Sequence, residues 1–143
     1  MKVSEVMTRS VATVSPEQTA QEAATFMLNN DAGSIPVTEG ERLIGMITDR
    51  DIAVRGIANG RGPDTSVREL MSSNVICAKV GDNVDEVATR MSEAQVRRLP
   101  VVDEDERLCG IVSLGDLSRE AAGSEATTEA LEGVSARGDQ HRQ

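Results

Sequence analysis

Two seven-residue stretches place a hydroxyl and a carboxylate three residues apart, directly after an apolar pair. The first is Gly45-Met46-Ile47-Thr48-Asp49-Arg50-Asp51. The second is Gly110-Ile111-Val112-Ser113-Leu114-Gly115-Asp116. Thr or Ser followed after two residues by Asp is a capping box, with an acid that the helix dipole favours. The same geometry suits binding. A helix N-terminus presents free N–H groups and partial positive charge to an anion. A capping hydroxyl can donate to a phosphate oxygen. A carboxylate one turn on can accept from both hydroxyls of a ribose, so a nucleotide fits better than a bare phosphate. Spacing alone favours the cap; the second copy of the pattern favours the site.

Other chemistry is poorly provided for. The chain of 143 residues has one histidine, His141, in a polar C-terminal stretch. That leaves no Ser-His-Asp or Cys-His catalytic set. Cys77 and Cys109 with one His are too few for an ordinary closed zinc site. They read as reduced, small apolar residues in strands. No glycine-rich phosphate loop of the Walker type is present. The N-terminus, MKVSEVMTRS, has no apolar signal segment, and no run approaches a membrane span. A cytoplasmic protein is expected. The net charge of −9 disfavours nucleic acid and anionic membrane as partners. Phe26 is the one aromatic residue, so the core must be aliphatic and no Tyr or Trp can stack on a ligand ring.

The elements that position the two stretches are themselves repeated. Met7 falls on Met71, Val11 on Val75, Thr13 on Cys77 and Glu22 on Glu86, all at a shift of 64 residues. Ile35-Pro36-Val37 falls on Leu99-Pro100-Val101 at the same shift. After a turn that is one residue longer in the second copy, Gly45, Thr48 and Asp51 fall on Gly110, Ser113 and Asp116 at a shift of 65. Each copy reads as β-α-β-β-α. In the first, Val11–Val14 is extended and Thr19-x-x-Glu22 caps a helix to about Asn30. Its expected apolar face is Ala20, Ala23, Ala24, Met27 and Leu28. Strands follow at Ser34–Thr38 and Leu43–Ile47, then a helix from about Asp49 to Asn59. In the second, Asn83-x-x-Glu86 caps the first helix, strands cover Leu99–Val102 and Leu108–Val112, and a helix starts after Ser113. Residues 1–59 form repeat one and 60–66 a linker. Ser66-x-x-Glu69 caps a short helix into repeat two, residues 67–121. Residues 122–143 form a polar tail, expected to be flexible, with a marginal helix at most over Ser124–Leu131. One copy alone buries too little to be safely stable, so the two should pack together around a pseudo-two-fold axis, leaving clefts between them as natural ligand sites.

The motifs GMITDRDIA and GIVSLGDLS, with SIPVTEGERLIG and RRLPVVDEDERLCG, resemble a tandem pair of cystathionine β-synthase (CBS) domains. The resemblance covers Met1 to about Ala121. The chain closely resembles short, stand-alone bacterial CBS-pair proteins, down to the stretch TDRDIAVRGIANG. It implies an α/β (α+β) fold and a non-catalytic regulatory role. It also implies an adenosine nucleotide as ligand (AMP, ADP or ATP, sometimes NAD or S-adenosylmethionine) and a homodimer. Phosphate would be contacted by Thr48 and Ser113, and the ribose diol by Asp51 and Asp116. The base would lie on the backbone of Val11-Ala12-Thr13 and Val75-Ile76-Cys77. Ile47, Val112, Ile35 and Leu99 would complete the pocket. The family often sets a basic residue just before the apolar-Pro pair. Repeat two has Arg97-Arg98 there and repeat one has Gly33-Ser34, so the two sites should differ in charge. Arg50 and Arg55 are further phosphate candidates, with Arg50 expected to face solvent. The alternative is a ligand-free dimeric scaffold.

Overall fold

The computed structural model describes residues 1–120; the expected tail and its marginal helix lie outside them. The chain divides into two compact units. One is Ala12–Val75; among the described residues the other joins Met1–Val11 to residues 76–120. The units therefore do not coincide with the repeats as cut in the sequence. Each repeat's leading segment belongs to the unit built on the other repeat.

In the first unit, α1 (Ala20–Asn30) is followed by the antiparallel pair β1 (Ser34–Glu39) and β2 (Arg42–Thr48), and α2 starts at Asp49. The Thr19 hydroxyl accepts the Glu22 N–H at 3.1 Å, as the capping box requires. The expected apolar face of α1 is half right. Ala20, Ala23 and Met27 are buried, but Ala24 is exposed and Leu28 is 81% exposed. Positions 24 and 28 form an adjoining stripe, rotated away from the core. α2 keeps its expected span but not one pitch. Asp49–Asp51 is α-helical, Ile52–Gly56 is a π-turn and Ile57–Asn59 a 3-10 turn. α3 (Val67–Leu70) packs Val67 and Leu70 into this unit's core with Val14, Ala23, Ile35, Val37 and Ile47. The expected Ser66 cap of α3 does not form. The Ser66 hydroxyl accepts no backbone N–H; it reaches the Glu69 carboxylate at 3.4 Å instead.

The second unit has β3 (Ala78–Lys79) parallel to β4 (Arg98–Val102), which pairs antiparallel with β5 (Leu108–Ser113). α4 (Val84–Ala94) precedes β4 and α5 (Leu114–Glu120) follows β5. Asn83 caps α4 through the Asp85 N–H at 2.9 Å rather than through Glu86. Val3 and Met7, from the start of the chain, join Val87, Met91, Leu99, Val112 and Leu117 in the core.

Both leading segments are seated the same way. Thr8 exchanges two backbone hydrogen bonds with Ile111 (2.8 and 2.9 Å), and Ser72 does the same with Met46 (2.9 and 3.0 Å). The motif glycines permit this approach. A Cβ on Gly110 would stand 2.7 Å from the Thr8 carbonyl, and one on Gly45 would stand 2.7 Å from that of Ser72.

The first strand of each repeat is shorter than expected. In repeat one it is a single bridge at Val14; in repeat two it is Ala78–Lys79. Val11–Thr13 and Val75–Cys77 lie just before these, in irregular backbone where the chain passes between units. Among the described residues, no helix is long and apolar enough to cross a membrane.

Candidate functional site

Each hydroxyl-carboxylate pair sits where a motif strand turns into a helix. At the α2 start, the Asp51 N–H donates to the Thr48 hydroxyl at 3.0 Å, and the Thr48 N–H donates to Asp51 Oδ2 at 2.9 Å. At the α5 start, Asp116 N–H to the Ser113 hydroxyl is 3.1 Å and Ser113 N–H to Asp116 Oδ2 is 3.0 Å. The structural reading of the motif is thus realised twice. It does not use up the binding chemistry. An ionised carboxylate has about four lone-pair sites, and the cap takes one of them. A hydroxyl that accepts one N–H still carries a hydrogen to donate.

The residues around the two junctions differ in charge. β4–β5 register sets Arg98 directly opposite Ser113, and β1–β2 register sets Ser34 opposite Thr48. Directly opposed residues of an antiparallel pair share a face of the sheet. Arg97 contributes its carbonyl to the Leu114 N–H at 3.0 Å, as Gly33 does to Asp49 at 3.0 Å. Both Arg97 and Arg98 are exposed. Over residues 97, 98 and 113–116 the formal charges are +2 and −1, a sum of +1. Over 33, 34 and 48–51 they are +1 and −2, a sum of −1. Arg50 is exposed, as expected. Arg55 turns to the protein. It donates to the Met71 carbonyl at 3.0 Å and lies 3.8 Å from Asp51 Oδ1.

The remaining expected residues separate into two groups. Ile35, Ile47 and Val112 are fully buried and Leu99 is 1% exposed. They form two cross-strand pairs, Ile35 with Ile47 and Leu99 with Val112, and belong to the cores. By contrast Ala12, Thr13 and Ile76 are exposed, and Val11, Val75 and Cys77 are half-buried. Burial pushes the Cys77 thiol above its ordinary pKa, while Lys79 and Arg90 pull the other way. Cys77 is therefore protonated at neutral pH and is not a ready nucleophile. Among the described residues, no group of three or more His, Cys, Asp and Glu is placed to hold a metal ion.

A model of the CBS domain matches residues 3–55 and 67–123. The chain belongs to the CBS-domain family. The CBS domain-containing protein YhcV of Bacillus subtilis is 44% identical over 133 residues, 93% of this chain and 94% of that protein. Among solved structures, Hypoxic Response Protein I with two coordinated zinc ions superposes with a TM-score of 0.76 at 35% identity, over 83% of this chain and 98% of that one. CBSX2 in complex with AMP has a TM-score of 0.74 at 25% identity, over 84% and 95%. The CBS domain pair of protein MJ0100, in complex with 5′-methylthioadenosine and S-adenosyl-L-methionine, has a TM-score of 0.70 at 32% identity, over 83% and 94%. The fold is the α+β fold of CBS pairs, and the family model covers two repeats.

Two contacts beside the candidate site were not read from the sequence, which offered Arg55 only as a phosphate candidate. Arg55 reaches from α2 to the end of α3, and Arg90 on α4 binds the Cys77 carbonyl at 2.8 Å. A signal for Arg90 was available. It stands where repeat one has Phe26, the one position where the repeats exchange an aromatic for a cation.

Proposed function

We propose that this CBS pair is a non-catalytic sensor of an adenosine nucleotide. The observation that carries the reading is the doubled hydroxyl-carboxylate cap, with Arg98 in register with Ser113. Asp51 and Asp116 accept from the ribose diol, and Thr48 and Ser113 donate to phosphate. The base lies against the backbone of Val11–Thr13 or Val75–Cys77, without aromatic stacking. Arg97 and Arg98 relieve the phosphate charge against an overall net charge of −9, so the Ser113 junction is the stronger phosphate site. The complexes of CBSX2 with AMP and of MJ0100 with methylthioadenosine and S-adenosylmethionine support an adenosine-type ligand. Ile35, Ile47, Leu99 and Val112 shape the pocket from beneath, as core.

The protein acts as a homodimer in the cytoplasm, and the nucleotide works by population shift. It favours whichever arrangement of the dimer, or of a partner, binds it better. Exposed Leu28, Val54 and Ile57 support a dimer face on repeat one.

Calorimetry with AMP, ADP, ATP, NAD and S-adenosylmethionine tests the proposal on wild type and on Asp51→Asn/Asp116→Asn. Binding is expected to wild type and to be lost in the double variant. No binding of any of the five at millimolar concentration overturns it in favour of a ligand-free scaffold.

A further inference from the structure

One ion pair in the second unit grips the short strand next to the base-facing segment from both sides. The Arg90 guanidinium, on α4, donates from Nη1 to the Cys77 carbonyl at 2.8 Å and to Asp82 Oδ2 at 3.2 Å. The same Asp82 oxygen accepts the Lys79 N–H at 2.9 Å. The carbonyl of residue 77 and the amide of residue 79 are thus held by two side chains that hold each other. Between them Ala78 is fully buried and paired with Val101. Just upstream, Ile76 is 47% exposed.

Repeat one lacks this device. The shift of 64 residues puts Gln18 at the place of Asp82 and Phe26 at the place of Arg90. Gln18 keeps half the contact, its Oε1 accepting the Ser15 N–H at 2.9 Å. Phe26 has nothing to donate. Among the described residues, no side chain holds the Thr13 carbonyl as Arg90 holds that of Cys77.

We infer that Arg90, braced by Asp82, is a positioning residue that presets the Val75–Cys77 backbone for the ligand base and makes the two base-facing segments unequal. The inference rests on the nucleotide reading above. A hydrogen bond from a cation is stronger than one between neutral groups. Backbone already ordered in its bound form saves the ordering cost when the ligand arrives. The segment at Val11–Thr13 must meet that cost during binding.

The test uses the full chain and AMP as probe. Arg90→Gln, Arg90→Lys and Asp82→Asn are compared with wild type by calorimetry and by the carbonyl 13C resonance of Cys77. Arg90→Gln is expected to move that resonance and to weaken AMP about tenfold, the size of one charge-assisted bond. Arg90→Lys, which keeps the cation, should recover part of the affinity. Transplanting the pair as Phe26→Arg/Gln18→Asp should tighten AMP binding, a gain that a packing role does not produce. Should Arg90→Gln fail to fold, Asp82→Asn is read in its place, since it removes the charge and keeps an acceptor for Lys79. Unchanged AMP affinity in a variant whose Cys77 resonance has moved overturns the inference. So does a loss that Arg90→Lys leaves uncorrected. No AMP binding by wild type sinks the nucleotide reading itself, an outcome separate from wild-type binding that Arg90→Gln leaves intact.

Discussion

Asp51 and Asp116 hold their own helices in place with the groups proposed to bind ribose. Oδ2 of each closes the cap, Asp51 Oδ1 lies 3.8 Å from Arg55, and Asp116 is 8% exposed. The two roles can be separated by substitution. Asp51→Ala removes the side-chain half of the capping box, leaving the bond from its backbone N–H to the Thr48 hydroxyl, and should cost about 1 kcal/mol, read as a fall in thermal midpoint. Asp51→Asn keeps an acceptor for the Thr48 N–H and should stay within about 0.5 kcal/mol of wild type. Both should weaken AMP. Equal stability loss in the two variants would show that charge at the helix start, not the hydrogen bond, carries the cap. Arg98 belongs to the same scale. It lies opposite Ser113, so Arg98→Ala should weaken AMP several-fold while leaving adenosine binding as it was, in parallel titrations. An equal loss for both ligands would remove Arg98 from the phosphate. The residue types at these positions were legible from the sequence. The register that sets Arg98 against Ser113 was not, because a one-residue slip sends every side chain to the other face.

At the scale of elements, the glycine of each motif has a role that spacing did not reveal. Gly45 and Gly110 let a foreign segment lie along the strand, with Met71 and Met7 packed over them. Gly45→Ala and Gly110→Ala should each destabilise the protein by about 1–3 kcal/mol in chemical denaturation. The added methyl meets backbone, which cannot turn aside as a side chain can. A near-neutral result would mean that the leading segments are loosely seated. α2 shows a second limit. Its start was readable from Thr48 and Asp51, but the change of pitch after Asp51 was not. Arg55 sits in the π-turn and reaches the Leu70 and Met71 carbonyls at the end of α3. That partner is distant in sequence, so no local pattern announces it. Leu28 failed for a related reason. The helical period allows two neighbouring stripes on α1, and only the packed neighbours decide which is inside.

For the whole molecule, the large apolar residues exposed among the described ones are Leu28 (81%), Ile57 (66%) and Val54 (46%) in the first unit, and Met1 (56%) and Ile76 (47%) in the second. A shift of 64 puts Ser92 at the place of Leu28. If this surface is the dimer face, Leu28→Glu/Ile57→Glu should halve the mass seen by light scattering without a loss of helix content. An unchanged mass would remove this surface from the proposed dimer. The sequence by itself determined the repeat, the order of elements within it, the aliphatic core and the paired caps. All of these follow from local pattern: period, capping residues and turn chemistry. Only the tertiary structure decided which leading segment completes which repeat. VSEVMTR and VRELMSS are near copies, and Gly45 and Gly110 offer the same bare strand to either. Local physics is degenerate between the two pairings. The structure resolves it by packing Val3 and Met7 into the core of repeat two, and Val67 and Leu70 into that of repeat one. The chain therefore passes between its compact units at Val11 and Val75, within the two segments proposed to meet the base.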